Sequence, residues 1–235
     1  MRMNWLEKAL MDGPSKRWMQ RHYEAPLFAR LGGLTTGQRV LDIGCGNGVG
    51  IEIALAHFGA EQVDGLDIDD SQLVRAHKRL ATVLRPSPGA GDPRDRVRLL
   101  VGDVCEIPAP DGAYDAVFNY LVLHHVIDWQ RALAEVHRVL KPGGLFYFEE
   151  TPGSSLSSWP ARVLLDHPTE NRFEADEFAE AVRRQGFSVG HIEVRARGNV
   201  FFGVGQRGAE AAGPSRIATG RAATDRAATE GRAVS

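Results

Sequence analysis

The sequence predicts an α/β protein: a doubly wound sheet of about seven strands, mostly parallel, with helices on both faces and an antiparallel hairpin strand at its C-terminal end. Three observations carry this. From Arg39 onward, short apolar runs alternate with segments of helical periodicity, the pattern of repeated βαβ units. The first run, Val40-Leu41-Asp42-Ile43, leads straight into a glycine-rich loop and then a helix. The last two apolar runs, 189–196 and 199–204, lie close enough to pair as a hairpin around Arg197-Gly198.

Residues 1–36 read as a helical cap. Trp5, Leu6, Ala9 and Leu10 recur at helical spacing, and Trp18, Met19 and Tyr23 follow the Gly13-Pro14 break. Pro26 opens a further short helical stretch that ends at Gly32-Gly33. Residues 37–207 form the main domain. The helix after the glycine loop runs through Ile51, Ala54, Leu55 and Phe58, and Val63–Asp67 is the second strand. The next helix carries Leu73, Ala76, Leu80 and Val83 on one face, and Asp69 with Gln72 has the spacing of a capping box. Residues 85–96, rich in Pro, Gly and charge, form a surface loop. Strands follow at 97–101, 115–120 and 145–148, with a helix at 128–140 stopped by Lys141-Pro142-Gly143-Gly144. A helix at 175–185 precedes the hairpin. Beyond Arg207 the apolar periodicity ends and Arg-Ala-Ala-Thr occurs twice, so 208–235 reads as a disordered tail.

Composition narrows the function classes. A chain of 235 residues that is 43% hydrophobic and 25% charged is of the ordinary globular type. A net charge of −2 argues against a nucleic-acid partner, whose phosphates call for a basic surplus. The two cysteines, Cys45 and Cys105, form neither a metal-ligand spacing nor a disulfide framework, so no metal is expected and a reducing, cytoplasmic setting is. Each reads as a small packing side chain rather than a nucleophile. No signal peptide and no run of about 20 apolar residues is visible, so no integral membrane segment is expected.

In an open parallel sheet, ligands bind beyond the carboxyl ends of the strands. Four segments fall there: Gly44-Cys45-Gly46-Asn47-Gly48, Asp67, Gly102-Asp103-Val104 and Asn119-Tyr120. Glycines let the backbone turn tightly and approach a ligand. Asp67 stands about 20 residues past them, the distance of a carboxylate that accepts ribose hydroxyls. A dinucleotide site requires Gly-x-Gly-x-x-Gly; counted from Gly44 the last position is Val49, and counted from Gly46 it is Ile51. Asp42, just before the loop, would also repel a pyrophosphate. A ligand carrying positive charge and no phosphate suits it.

These segments, with Asp115-Ala-Val-Phe-Asn119, Leu123-His-His-Val126 and Glu135-Val-His-Arg-Val-Leu-Lys-Pro-Gly-Gly144, resemble the class I S-adenosylmethionine-dependent methyltransferases. The likeness is to the small-molecule branch (methyltransferase type 11) that includes ubiquinone and menaquinone biosynthesis enzymes. It covers residues 37–150 and implies a Rossmann-like fold. It further implies that Asp42, Gly44, Cys45, Gly46 and Gly48 hold the amino-acid part of S-adenosylmethionine, Asp67 its ribose, Ile68, Asp103 and Val104 its adenine, and that Asn119 and Tyr120 line the floor near the methyl group. The same groups would hold the product S-adenosylhomocysteine.

The expected reaction is methyl transfer to a small-molecule acceptor by direct displacement; the alternative is a catalytically idle protein that binds the same ligands for regulation or scaffolding. His124 and His125 are the candidate general bases where the acceptor must lose a proton. Tyr23, His124, Trp129 and His167 are candidates to touch the acceptor, with Trp18, Trp159 and Phe173 as further aromatics on the flanking segments. The segment Asp166–Phe173 reads as a polar loop. Place 118–121 reads Phe-Asn-Tyr-Leu, unlike the proline-containing segment of adenine and glutamine amino-methyltransferases, and the chain lacks the length for the barrel extension of protein arginine methyltransferases.

Overall fold

The computed structural model describes residues 13–86, 91–156 and 170–209. Strands form at each apolar run: β1 (Arg39–Ile43), β2 (Gln62–Asp67), β3 (Val97–Val101), β4 (Tyr114–Tyr120) and β5 (Leu140–Glu150). They are parallel, in the order β3-β2-β1-β4-β5. The connections turn in opposite directions on either side of the β1–β4 pair, which opens a crevice at the carboxyl ends of those two strands. Three further strands are β6 (Phe187–Val189), β7 (Glu193–Arg195) and β8 (Val200–Arg207). β8 lies antiparallel beside β5, and β6 and β7 share its other edge. Eight strands therefore fill seven positions across the sheet, the expected architecture.

Among the described residues the helices longer than one turn are α1 (Pro14–Met19), α2 (Ala25–Gly32), α3 (Val49–Ala56), α4 (Asp70–Val83), α5 (Trp129–Val139) and α6 (Ala175–Arg184). Pro26 does not open a separate helix. A π turn, Gln20–Glu24, joins α1 to α2 without a break. Proline cannot donate to the carbonyl four residues back, and the wider π register, with Ala25 N–H on the Gln20 carbonyl, absorbs the mismatch. Asp69 caps α4, its Oδ1 accepting Ser71 N–H at 3.0 Å and Ser71 O–H at 2.6 Å. Gln72 does not complete the expected box; its Oε1 accepts from Arg75 Nη1 at 3.5 Å and its Nε2 is buried. The stop at Lys141–Gly144 ends α5, yet the chain is already strand there: Leu140 pairs with Tyr114, and the four stop residues bulge out before Leu145 pairs with Ala116. The predicted 189–196 strand is shortened to β7, and β6 forms just ahead of it.

Alternation along each strand divides the core between the two faces of the sheet. Phe28, Phe58, Phe118, Tyr120, Tyr147 and Phe202 fill the face under α2, α3 and α4. Trp129, Phe146, Phe148, Phe178, Phe187 and Phe201 fill the face under α5 and α6. The two rows of aromatic side chains fix the strand ends that carry the site.

Candidate active site at the carboxyl ends of the strands

A cavity of about 440 Å³ opens beyond β1, β2 and β4. Its floor is the glycine loop. Gly44, Gly46 and Gly48 have φ of 58°, 51° and 82°, a left-handed backbone that side-chain-bearing residues disfavour. The loop is closed by Cys45 N–H on the Leu66 carbonyl (2.9 Å) and Gly48 N–H on the Cys45 carbonyl (2.8 Å). A Cβ on Gly44 would lie 2.5 Å from Val122 Cγ2, so glycine lets the β4–α5 segment close down on the loop.

Asp42 stands at the cavity wall, 2% exposed. Its Oδ2 has no hydrogen-bond partner. A Cβ on Gly50 would sit 2.3 Å from that oxygen, so the first turn of α3 presses directly on the carboxyl. Burial, and then repulsion from Asp67, pushes Asp42 up to about 8. Asp67 is a hinge between two elements: Oδ2 accepts Gly46 N–H at 2.9 Å and Oδ1 accepts Asp69 N–H at 2.8 Å. Asp103 makes a local turn, its Oδ1 accepting Cys105 N–H at 2.8 Å. Ile68, 42% exposed, and Val104 supply apolar wall. Cys45 is buried with its thiol pushed well up, first by burial and then by Asp42 and Asp67. That is packing behaviour rather than a nucleophile's.

The cavity brings together Asp42, Gly44, Cys45, Gly46, Asp67, Ile68, Asp103, Val104, Tyr120 and His125. Others stand elsewhere. Gly48 turns to α4, where a Cβ would meet Leu80 and Ala76. Asn119 is fully buried on the opposite face, its Nδ2 donating to Glu150 at 2.8 Å. His124 is also drawn away: its Nδ1 lies 2.6 Å from Glu150 Oε2, with the imidazole 7% exposed. Trp129 is 1% exposed in the core, its indole N–H on the Asn171 carbonyl at 2.8 Å and its ring against Phe173. Trp18 and Tyr23 face outward. His167, Trp159, residues 1–12 and the tail from 210 lie outside the described residues, as do residues 166–169 of the 166–173 loop. Among the described residues no group of three or more His, Cys, Asp or Glu side chains could hold a metal ion.

Several wall residues carry no motif signal. Gln20 reaches the cavity from the π turn, and Arg131 with Asp128 from the start of α5. Leu121, with φ of 59°, turns the chain sharply after β4. Glu150 organises that turn from behind, accepting from the backbone N–H of Leu123 (2.7 Å), Val122 (3.2 Å) and His124 (3.3 Å). The only trace of this in the sequence is the pair Glu149-Glu150, which strand alternation splits to opposite faces.

With Asp42 largely protonated near neutral pH, the wall still sets four other aspartates (67, 69, 103, 128) against one arginine. Such a field opposes phosphate and favours a cation. The Asp42 carboxyl suits an ammonium, the Asp67 carboxylate a diol, and the Ile68–Val104 wall a flat ring. The residues present therefore fit S-adenosylmethionine.

Comparison with known proteins agrees. The family described as "Methyltransferase domain" matches residues 41–148. A Mycolicibacterium smegmatis protein described as a probable S-adenosylmethionine-dependent methyltransferase is 32% identical over 173 residues, 73% of this chain and 60% of that protein. The 27-O-demethylrifamycin SV methyltransferase of Amycolatopsis mediterranei is 37% identical over 47% of this chain and 38% of its own length. The chain thus spans less than two thirds of either relative. A SAM-dependent methyltransferase structure from Aquifex aeolicus superposes with a TM-score of 0.67 at 19% identity, covering 87% of this chain and 99% of that one, which shows the shared fold.

Proposed function

We propose that the chain is a class I, S-adenosylmethionine-dependent methyltransferase of the type 11 branch, a reading supported by the methyltransferase-domain match over residues 41–148, and that it transfers a methyl group from S-adenosylmethionine to a small-molecule acceptor. One observation carries the reading most of the way: a buried carboxyl, Asp42, with an unpartnered oxygen beside a left-handed glycine loop and a second carboxylate, in a cavity whose wall is acidic. When bound, the cofactor supplies an already activated methyl group on a sulfonium.

The residues of the chain then have positioning work. Asp42 would receive the ammonium, and the glycine loop would give the backbone close approach. Asp67 would hold the ribose hydroxyls from the front while it holds Gly46 and Asp69 from behind. Ile68 and Val104 would pack on the adenine and Asp103 would accept its amino group. Tyr120, buried at the end of β4 with its hydroxyl unpartnered, would form the floor. On the acceptor side the geometry favours Gln20 and His125. Of the two histidines, His125 is the one at the cavity wall, so any proton leaving the acceptor would pass to it and not to His124. Acceptors of the quinone-precursor kind, suggested by the motif likeness, belong to this proposal as one class among small molecules.

Calorimetry with S-adenosylmethionine, S-adenosylhomocysteine and NAD tests the reading. The two adenosyl ligands are expected to bind and compete, and NAD not to. Binding of NAD alone, or of none, overturns it. Cofactor binding without methylation of any acceptor in a broad screen would favour the idle alternative. His125→Ala should lower turnover on an acceptor that needs deprotonation; full activity of that variant would remove the base assignment.

A further inference from the structure

The helical segment that opens the described chain is inside out. Its buried side carries Lys16, Gln20 and Glu24, at 7%, 7% and 1% exposure, and its outward side carries Trp18, Met19 and Tyr23, at 63%, 42% and 44%. Surface helices ordinarily do the reverse. The inward side has its reason within the chain: Lys16 Nζ donates to Glu24 Oε1 at 2.7 Å and to Glu149 Oε1 at 3.1 Å, while Gln20 lines the cavity. Positions four apart drift around an α-helix, and the π turn at Gln20–Glu24 offsets that drift, which keeps the three in one row. The outward side has no such reason. Among the described residues the ring contact of Trp18 is His22, itself outward, at 5.1 Å.

Within the segment itself, the charge on the same side is one-signed. Between Pro14 and Gly32 the single acid is Glu24, which is buried, whereas Arg17, Arg21, His22 and Arg30 stand toward the outside. Arg21 pairs with Glu52 and Arg30 with Glu193, yet their side chains stay 40% and 64% exposed.

We infer that this face docks on an anionic lipid surface, with Trp18, Met19 and Tyr23 entering the boundary between headgroups and acyl chains and the flanking arginines meeting lipid phosphates. Tryptophan and tyrosine have the apolar body and polar tip that suit that boundary, and a basic rim around an apolar patch is complementary to anionic lipid. The contact lies in the plane of the surface: no helix among the described residues is long and apolar enough to cross a membrane. The ion cluster of Lys16, Glu24 and Glu149 keeps the helix from rolling its apolar side inward, because that would bury the aromatics at the cost of exposing or unpairing three charges. Gln20 faces the cavity from this same helix. If the methyl-transfer reading holds, the docked protein would draw its acceptor from the lipid phase; the docking itself does not depend on that reading.

Co-sedimentation of the full chain with vesicles is the test, using phosphatidylcholine alone and phosphatidylcholine with phosphatidylserine. Binding to the anionic vesicles should exceed that to the neutral ones by about tenfold and weaken with salt. The triple variant Trp18→Ser, Met19→Ser, Tyr23→Ser should lose about tenfold in partitioning while still folding cooperatively, since none of the three side chains belongs to the buried core. Trp18→Glu alone is the second variant and should show the same direction. No binding by the parent chain, or equal binding by folded variants, overturns the inference. So does a parent chain that dimerises through this face and ignores vesicles. Because the readout is vesicle binding, failure here leaves the methyl-transfer reading intact, and failure of cofactor binding leaves this one intact.

Discussion

Replacing Asp42 with Asn should stabilise the ligand-free protein and cripple its cofactor site. The carboxyl is 2% exposed, with one oxygen unpartnered, and burial together with Asp67 lifts it from an ordinary 3.8 to about 8. Between those values the folded chain holds a proton there that the unfolded chain has lost. Stability therefore falls as pH rises through that window. The loss is about 1.4 kcal/mol per pH step, or about 6 kcal/mol across the window in a rigid, dry site. Water in the adjoining cavity of about 440 Å³ screens the charge; with half the penalty relieved, about 3 kcal/mol is left. For a chain of this size that is about 6–12 °C in Tm. Asn keeps the shape and does not titrate. Melts of the two ligand-free proteins should then show the variant's advantage growing by that amount between about pH 3 and about pH 9. A difference that stays constant across pH would refute the reasoning. In the same variant, S-adenosylhomocysteine affinity should fall by about 1.5–3 kcal/mol, the scale of a hydrogen bond to a charged group.

Three further substitutions probe the supports of the site. Asp67→Ala removes the acceptor for Gly46 and Asp69 N–H, and calorimetry should show cofactor affinity weakened by about 1–3 kcal/mol; an unchanged affinity in a folded variant removes the role. Glu150→Gln keeps the volume but loses the charge that gathers Asn119, Leu123 and His124. It should lower unfolding stability by about 1–3 kcal/mol in urea, and an unchanged midpoint would show the turn to be held otherwise. Lys16→Met leaves Glu24 and Glu149 facing each other without their cation. The cost should be about 3–5 kcal/mol near neutral pH and smaller at low pH, because Glu149 is already pushed well up by burial and takes a proton readily; an equal cost at both would contradict the pairing.

Much of the fold was legible because the apolar runs and breakers are local signals, and β1 to β4 form where those runs stand. The left-handed glycines of the first loop and the carboxylates at the ends of β1 and β2 were legible for the same reason: each is dictated by its own backbone position. What failed to be legible depends on which way a side chain points. Asn119 and Tyr120 are neighbours in sequence, but strand alternation sends one to Glu150 and the other to the cavity. His124 and His125 divide likewise. Trp129 sits at the first position of α5, where an aromatic can face core or pocket, and the Asn171 carbonyl and Phe173 settle it in the core. Gln20 is on the wall only because a π turn places it there, and no residue pattern around Pro26 announces that turn.

The claim that a buried Asp42 and the hinge carboxylate Asp67 form the two ends of a cation-and-diol site is tested most directly by a crystal structure of the chain with S-adenosylhomocysteine. The account predicts the ligand's amino group on the Asp42 carboxyl at about 2.8 Å and its ribose hydroxyls on Asp67. A ligand whose amino group points away from Asp42, or one seated outside this cavity, would contradict it.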